Sequence, residues 1–207
     1  MKRREFFPAV ATASMGAVSL LEAGEKAVIR IVLDEGNPGQ SRLYLQDGDT
    51  GGIPVGFGKK GFLPAGEAFQ GGYSLLGEFE VNAVLSSDRF EMTDELVQES
   101  GKSREWLAEN LFFKMSSIDF DGDGKGGEYG DAFIGLAPIH SSAKQPFHFG
   151  EYKGVFRWYS YAIHGTQDQA RIGKCVTGGC INVGAADLNA LTAVLDLNDR
   201  VVVQPRG

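Results

Sequence analysis

The rhythm of apolar and polar positions changes several times along the chain, and each rhythm predicts a different element. Residues Ala27 to Leu33 (Ala-Val-Ile-Arg-Ile-Val-Leu) form a short, β-branched apolar run and predict a strand. Leu43-Tyr44-Leu45 predicts a second one, after a Gly-Asn-Pro-Gly turn. From Gly71 to Val81 the run ends in alternating apolar and charged residues, the mark of a half-buried strand, which can continue to Leu85. Between Thr93 and Met115 the spacing becomes helical. Thr93, Asp94 and Glu95 form a helix start, Trp106, Leu107, Leu111 and Phe112 share a face, and Gly101 divides the stretch into two short helices. A Gly/Asp-rich loop follows from Asp119 to Asp131. Phe156 to His164 is aromatic and predicts a strand ending at His164. Ala185 to Leu195 predicts a helix, and Val201 to Val203 a closing strand. There is no internal repeat and no low-complexity linker. The pattern as a whole predicts one mainly β domain over residues 27–205, with a helical and loop insertion over about residues 86–150.

Composition changes this picture little. The 207 residues suffice for a single domain with a sizeable core, and the 29 glycines agree with short strands and tight turns. The formal charge of -7, with no basic stripe in the body of the chain, disfavours a nucleic-acid partner. The first 23 residues stand apart. Lys2, Arg3 and Arg4 precede a weakly apolar stretch from Phe6 to Leu21, rich in small residues. This is the layout of an export signal, and Arg3-Arg4-Glu5-Phe6-Phe7 resembles the twin-arginine type. The competing reading is an amphipathic N-terminal helix. Cleavage near Ala23 would leave 17 basic against 25 acidic residues and no membrane span in the mature chain. The expected location is then the periplasm or cell wall.

Two stretches carry candidate chemistry: Ile163-His164-Gly165-Thr166, and Thr177-Gly178-Gly179-Cys180-Ile181-Asn182. A cysteine attacks as thiolate and needs a base, which a histidine supplies near neutral pH. A tight Gly178-Gly179 turn can crowd backbone N–H groups near the sulfur, where they would hold an oxyanion. Other readings exist for the same residues. Cys175 and Cys180, the two cysteines of the chain, could form a structural disulfide. They could also form a reversible one that masks the nucleophile. His164 could be a hydrogen-bonded histidine at a strand end.

The stretch from Ile163 to Val183 resembles the signature of the L,D-transpeptidase (YkuD-type) catalytic domain. That signature is a His-Gly pair, a gap, then Ser/Thr-His-Gly-Cys, an apolar residue and Asn or Arg. Here His164-Gly165 is followed, after twelve residues between His164 and Thr177, by Thr177-Gly178-Gly179-Cys180-Ile181-Asn182. Gly178 stands where the family usually has a second histidine. The Asp187-Leu188 helix and the ending Asp199-Arg200-Val201-Val202-Val203 also resemble the family. Tyr73 to Phe79 resembles its Thr-Pro-x-Gly-x-Phe strand, with Leu75 in place of proline. The resemblance implies a β-sandwich domain acting on peptidoglycan stem peptides without a required cofactor. It implies Cys180 as nucleophile, His164 as base and the Gly165 carbonyl as the group orienting the imidazole. Backbone N–H groups of Gly179 and Cys180 would steady the oxyanion, while Thr177 and Asn182 shape the pocket. Cross-linking and hydrolysis both remain open as outcomes, as does a non-catalytic wall-binding domain.

A separate signal lies in Asp119-Phe120-Asp121-Gly122-Asp123-Gly124, which matches the first half of an EF-hand calcium loop. Gly130 occupies the twelfth position, and Glu128 or Asp131 would have to substitute for its glutamate. The loop is read either as a structural calcium site or as a solvated acidic turn. His140 and His148 are expected to be structural or surface residues, and Glu105 and Glu109 a solvated helix face.

Overall fold

A computed structural model describes residues 28–45, 51–120, 122–140 and 147–207. The expected export signal, Ala27 and Asp121 lie outside the described residues. In chain order come β1 (Val28–Leu33), β2 (Arg42–Tyr44), β3 (Ile53–Pro54), β4 (Phe57–Gly58), β5 (Phe62–Leu63), β6 (Ser74–Leu75), β7 (Gly77–Ser86) and β8 (Phe90–Met92). Helices α1 (Asp94–Ser100) and α2 (Arg104–Ser116) follow. Next are β9 (Ala132–Pro138), β10 (His148–Tyr152), β11 (Val155–Tyr159), β12 (Tyr161–His164), β13 (Cys175–Thr177) and β14 (Ile181–Asn182). Helix α3 (Ala185–Val194) and β15 (Arg200–Pro205) complete the chain.

The domain is mainly β. Its central sheet runs β14-β12-β9-β7-β15-β1-β2-β3, with β8 also paired to β7. The sheet curls on itself. β3 ends at Pro54 on one edge, and two residues later Gly56 exchanges both backbone hydrogen bonds with Asn182 of the opposite edge strand, each 2.8 Å. Edge pairing of this kind satisfies backbone groups that would otherwise lie open.

One apolar cluster fills each face of the sheet. Ile29, Ile31, Phe79, Val81, Val84, Ile163 and Ile181 pack with Leu188 and Leu191 of α3. Ala83, Leu85, Phe133, Trp158 and Ala162 pack with Leu107, Leu111 and Met115 of α2. Strict alternation would put Val81 and Ala83 of β7 on the same face. A bulge between them, with Asn82 as the extra residue, sends them to opposite clusters.

The divided helix has its break at Gly101, as its spacing predicts. Two other expectations need correction. The stretch 86–150 is not one insertion: β9 lies in the middle of the sheet, between β7 and β12. Its unbroken run Ala-Phe-Ile-Gly-Leu-Ala suits a strand buried on both faces. Nor is Phe156 to His164 one strand. β11 forms a hairpin with β10, and after Ser160 β12 enters the main sheet. The pairing changes at Ser160: β11 ends its ladder with β10 at Tyr159, and β12 begins its ladder with β9 at Tyr161. Among the described residues no helix is long and apolar enough to cross a membrane.

Candidate active site

The site forms where β12 and β14 run parallel at the edge of the sheet, with Ile163 opposite Ile181 and His164 opposite Asn182. Side chains alternate along a strand. Ile163 and Ile181 point into one core, so Ala162, His164, Cys180 and Asn182 take the other face. That face opens on a cavity of about 740 Å³, lined by His164, Cys180, Thr177, Gly178 and Asn182 among others. Thus the structure brings together five of the seven site residues singled out from the sequence. Gly165 and Gly179 stand behind the cavity wall.

His164 is buried. Its ring stacks on Phe133, its partner across β9, at 6.2 Å and 9° between planes, and meets Tyr129 edge-on at 4.8 Å. Its Nδ1 lies 2.7 Å from the Gly165 carbonyl oxygen. With Nδ1–H donating to that oxygen, Nε2 is left as the basic nitrogen. Burial lowers the imidazole pKa to about 4, the Gly165 bond opposing the shift and the Arg171 charge adding to it. Gly165 is also tightly packed. A Cβ there would sit 3.0 Å from Leu188 and 3.2 Å from both Gly130 Cα and the Tyr129 carbonyl oxygen. The 127–130 turn therefore packs backbone to backbone against the residue that orients the histidine.

Cys180 is half-buried, and its thiol donates to the Ser160 carbonyl at 3.6 Å. Crowding by surrounding atoms pushes its pKa up to about 11, against the opposing effects of the Ala162 backbone and the Arg157 charge. With the base lowered and the thiol raised, the empty site holds a neutral thiol and a neutral imidazole. The thiolate must be generated as the proton moves to His164.

The turn carrying Cys180 is held from two sides. Thr177 Oγ1 donates to the Cys180 carbonyl at 2.7 Å and accepts from the Gly179 N–H at 3.1 Å. Ser74 Oγ donates to the Gly179 carbonyl at 2.6 Å and accepts from the Gly58 N–H at 3.0 Å. Gly179 adopts φ +142°, and a Cβ on it would lie 2.7 Å from the Tyr73 carbonyl oxygen, so no other residue fits. The expectation that the Gly179 N–H is an oxyanion donor thus meets an engaged group. Gly178 contrasts with its neighbour: it is exposed on the cavity, and a Cβ there meets nothing within 4 Å. Thr177→Val keeps the shape of the side chain and removes both bonds. We expect a loss of about 1–3 kcal/mol in unfolding free energy and acylation of Cys180 slowed at least tenfold. Denaturant melts and intact-mass time courses measure these, and wild-type acylation in the variant would count against a positioning role.

Both cysteines are free thiols. Cys175 packs against the cluster beneath α3 and Cys180 against the opposite one, so the two thiols face different cores. Asp119 of the acidic loop receives the backbone N–H groups of Gly122, Asp123 and Gly124, and Asp123 pairs with Lys125. Among the described residues no group of three His, Cys, Asp or Glu side chains is placed to share an ion. His140 is a surface residue facing Glu78, and His148 stacks on Tyr159 outside the cavity. Ser103 caps α2 by accepting from the Trp106 N–H at 3.2 Å, and Glu105 sits in that exposed first turn.

Sequence reasoning missed Lys59, Phe69, Phe120, Tyr129, Arg157 and Arg171, which also line the cavity. The one available signal was Arg157, a cation set in the aromatic run from Tyr152 to Tyr159.

The fold and this site define a class: a curled β domain in which a histidine ends one strand and a cysteine immediately precedes the parallel strand beside it, both facing one cavity. Residues 30–203 match the family model of the L,D-transpeptidase catalytic domain (YkuD), and the chain belongs to that family. Enzymes of this family act on peptidoglycan stem peptides. No curated protein matches the chain. Among solved structures it is similar to an L,D-transpeptidase from Mycobacterium smegmatis, with 14% identity, a TM-score of 0.40, and coverage of 86% of this chain and 59% of that one. It is also similar to L,D-transpeptidase 3 from Mycobacterium tuberculosis in complex with a faropenem-derived adduct. There the identity is 14%, the TM-score 0.42, and the coverage 85% of this chain and 60% of that one. The chain spans about three fifths of the length of these structures.

Proposed function

We propose that the protein is a peptidoglycan L,D-transpeptidase that works through a thioester on Cys180. The observation that carries this reading is the shared cavity of Cys180 and His164, with His164 Nδ1 held by the Gly165 carbonyl. The thiol proton passes to His164 Nε2 as the sulfur attacks the carbonyl that precedes the terminal D-residue of a stem peptide. The carbon–sulfur bond forms and the amide carbon–nitrogen bond breaks, with the proton delivered to the leaving amine. The Cys180 N–H serves the oxyanion, joined by the Gly179 N–H if it exchanges its bond to Thr177. An amine of a second stem then attacks the thioester and gives its proton to His164 as the new carbon–nitrogen bond forms; the carbon–sulfur bond breaks, and His164 returns the proton to the sulfur. Water in place of that amine gives trimming. Every step is an acyl or proton transfer among Cys180, His164 and the two substrates, so none calls on a cofactor. Thr177 holds the nucleophile turn, and Asn182, whose buried Oδ1 has no partner, faces the donor. Residues 1–23 act as an export signal in this reading, since the substrate lies in the periplasm or wall.

Purified protein incubated with disaccharide-tetrapeptides should give cross-linked dimer and a covalent intermediate by mass spectrometry. A shortened tripeptide alone would replace transpeptidation by hydrolysis. No product and no adduct would overturn the enzyme reading.

A further inference from the structure

The cavity holds two arginines that no step above uses. Arg157 projects from β11, and Arg171 ends the short helical turn Gln169–Arg171 between His164 and Cys180. Among the described residues neither takes part in an ion pair. The Nε of each is buried without a hydrogen-bond partner. Arg157 is gripped instead by π faces: its guanidinium carbon lies 3.9 Å from the Tyr159 ring centroid and 4.2 Å from that of Phe120. Its bond to the Tyr129 hydroxyl spans 3.5 Å, the limit of such a contact. Arg171 donates to the Val176 carbonyl at 3.3 Å. Both heads are thus positioned, with donors to spare.

A guanidinium Nε buried without a hydrogen-bond partner is unfavourable, and an arriving anion relieves that; the Asp123 carboxylate, which feels the Arg171 charge, is paired with Lys125. The cavity wall carries Lys59, Arg157 and Arg171 against Glu128 and Asp168, an excess of positive charge in a chain of net charge -7. The Asp168 carboxylate is occupied in accepting the Ala170 N–H at 3.0 Å. The two arginines also flank the chemistry. The Arg157 charge acts on Cys180, and the Arg171 charge on His164. The fork of a guanidinium matches the two oxygens of a carboxylate.

We propose that Arg157 and Arg171 form a carboxylate-binding subsite that selects and orients the acyl donor. This rests on the acyl-transfer function proposed above. A stem peptide offers this group from two sources, the C-terminal carboxylate of the leaving D-residue and a carboxylate on a side chain.

Three donors separate these sources: the free peptide, its C-terminal amide, and a peptide amidated only on the side chain. For the wild type we expect one of the two amidations to lower kcat/KM by about 10- to 100-fold, as loss of a charged hydrogen-bond pair does. Which one identifies the carboxylate. The Arg157→Gln/Arg171→Gln variant should process the free peptide as slowly as the wild type processes that amide, and be indifferent to amidation. Arg157→Lys/Arg171→Lys should recover part of the preference. Wild type that treats all three donors within twofold overturns the subsite whether or not the variants fold, as does undiminished preference in the Gln double variant. Wild type that turns over no donor overturns the acyl-transfer function itself, and with it the subsite.

Discussion

Cys180→Ala should remove covalent capture altogether and lower turnover by about three to six orders of magnitude, the scale seen when a covalent nucleophile is deleted. The domain should still fold. Cys180 is half-buried, its thiol makes one long hydrogen bond, and the turn around it is held by Thr177 and Ser74. Cys175→Ala is the matched control, because that thiol packs against the other core and does not line the cavity. Intact-mass measurement after exposure to a carbapenem should show one adduct on wild type and on Cys175→Ala, and none on Cys180→Ala. An adduct on Cys180→Ala, or none on Cys175→Ala, would move the chemistry to the other thiol.

The second large effect is in pH. Acylation needs His164 neutral, and its pKa is lowered to about 4 from the ordinary 6.5. The thiol, pushed up to about 11, supplies no free thiolate near neutrality. The rate of acylation should therefore be level between about pH 5 and pH 10, fall on the acid side near 4, and rise only at strongly alkaline pH. An acid limb at 6.5, or an alkaline rise at 8.5, would refute the burial that sets both shifts. The same group acts on stability. The unfolded chain takes up a proton at 6.5 and the folded chain only near 4, so the unfolded state binds more protons between these values. Stability is thus full above 6.5 and declines toward pH 4, by about 3 kcal/mol from this one residue. His164→Gln, neutral throughout, should lose that part of the acid slope in denaturant melts, together with most of the acylation rate.

Much of this site was legible in the chain. His164, Cys180 and the small residues around them lie within one stretch of ordered spacing, and parallel pairing of β12 with β14 needs only their local strand character. What could not be read was whatever arrives from afar. Tyr129 comes from a glycine-rich turn with no periodicity, yet it helps desolvate the histidine. Ser74 reaches the nucleophile turn from a two-residue strand too short to show a pattern. Arg171 looks like an ordinary surface charge until the short helical turn Gln169–Arg171 sets it on the cavity wall. For the fold, the divided helix and the strands β1, β2, β7 and β15 followed from spacing alone. β9 did not, because an apolar run of that length fits a loop-bound core segment as well as a central strand. The turn at Ser160 also escaped, since the aromatic residues on both sides of it are equally β-prone.

The hydrogen bond from Ser74 to the Gly179 carbonyl joins residues 105 positions apart in the chain. Loop closure over such a separation is slow and is rewarded only when the intervening strands are in place. A nascent or partly unfolded chain therefore carries an ordinary thiol rather than an aligned nucleophile. Reactivity at Cys180 is a property of the finished fold, which makes the rate of thioester formation a direct gauge of how much of a preparation is native.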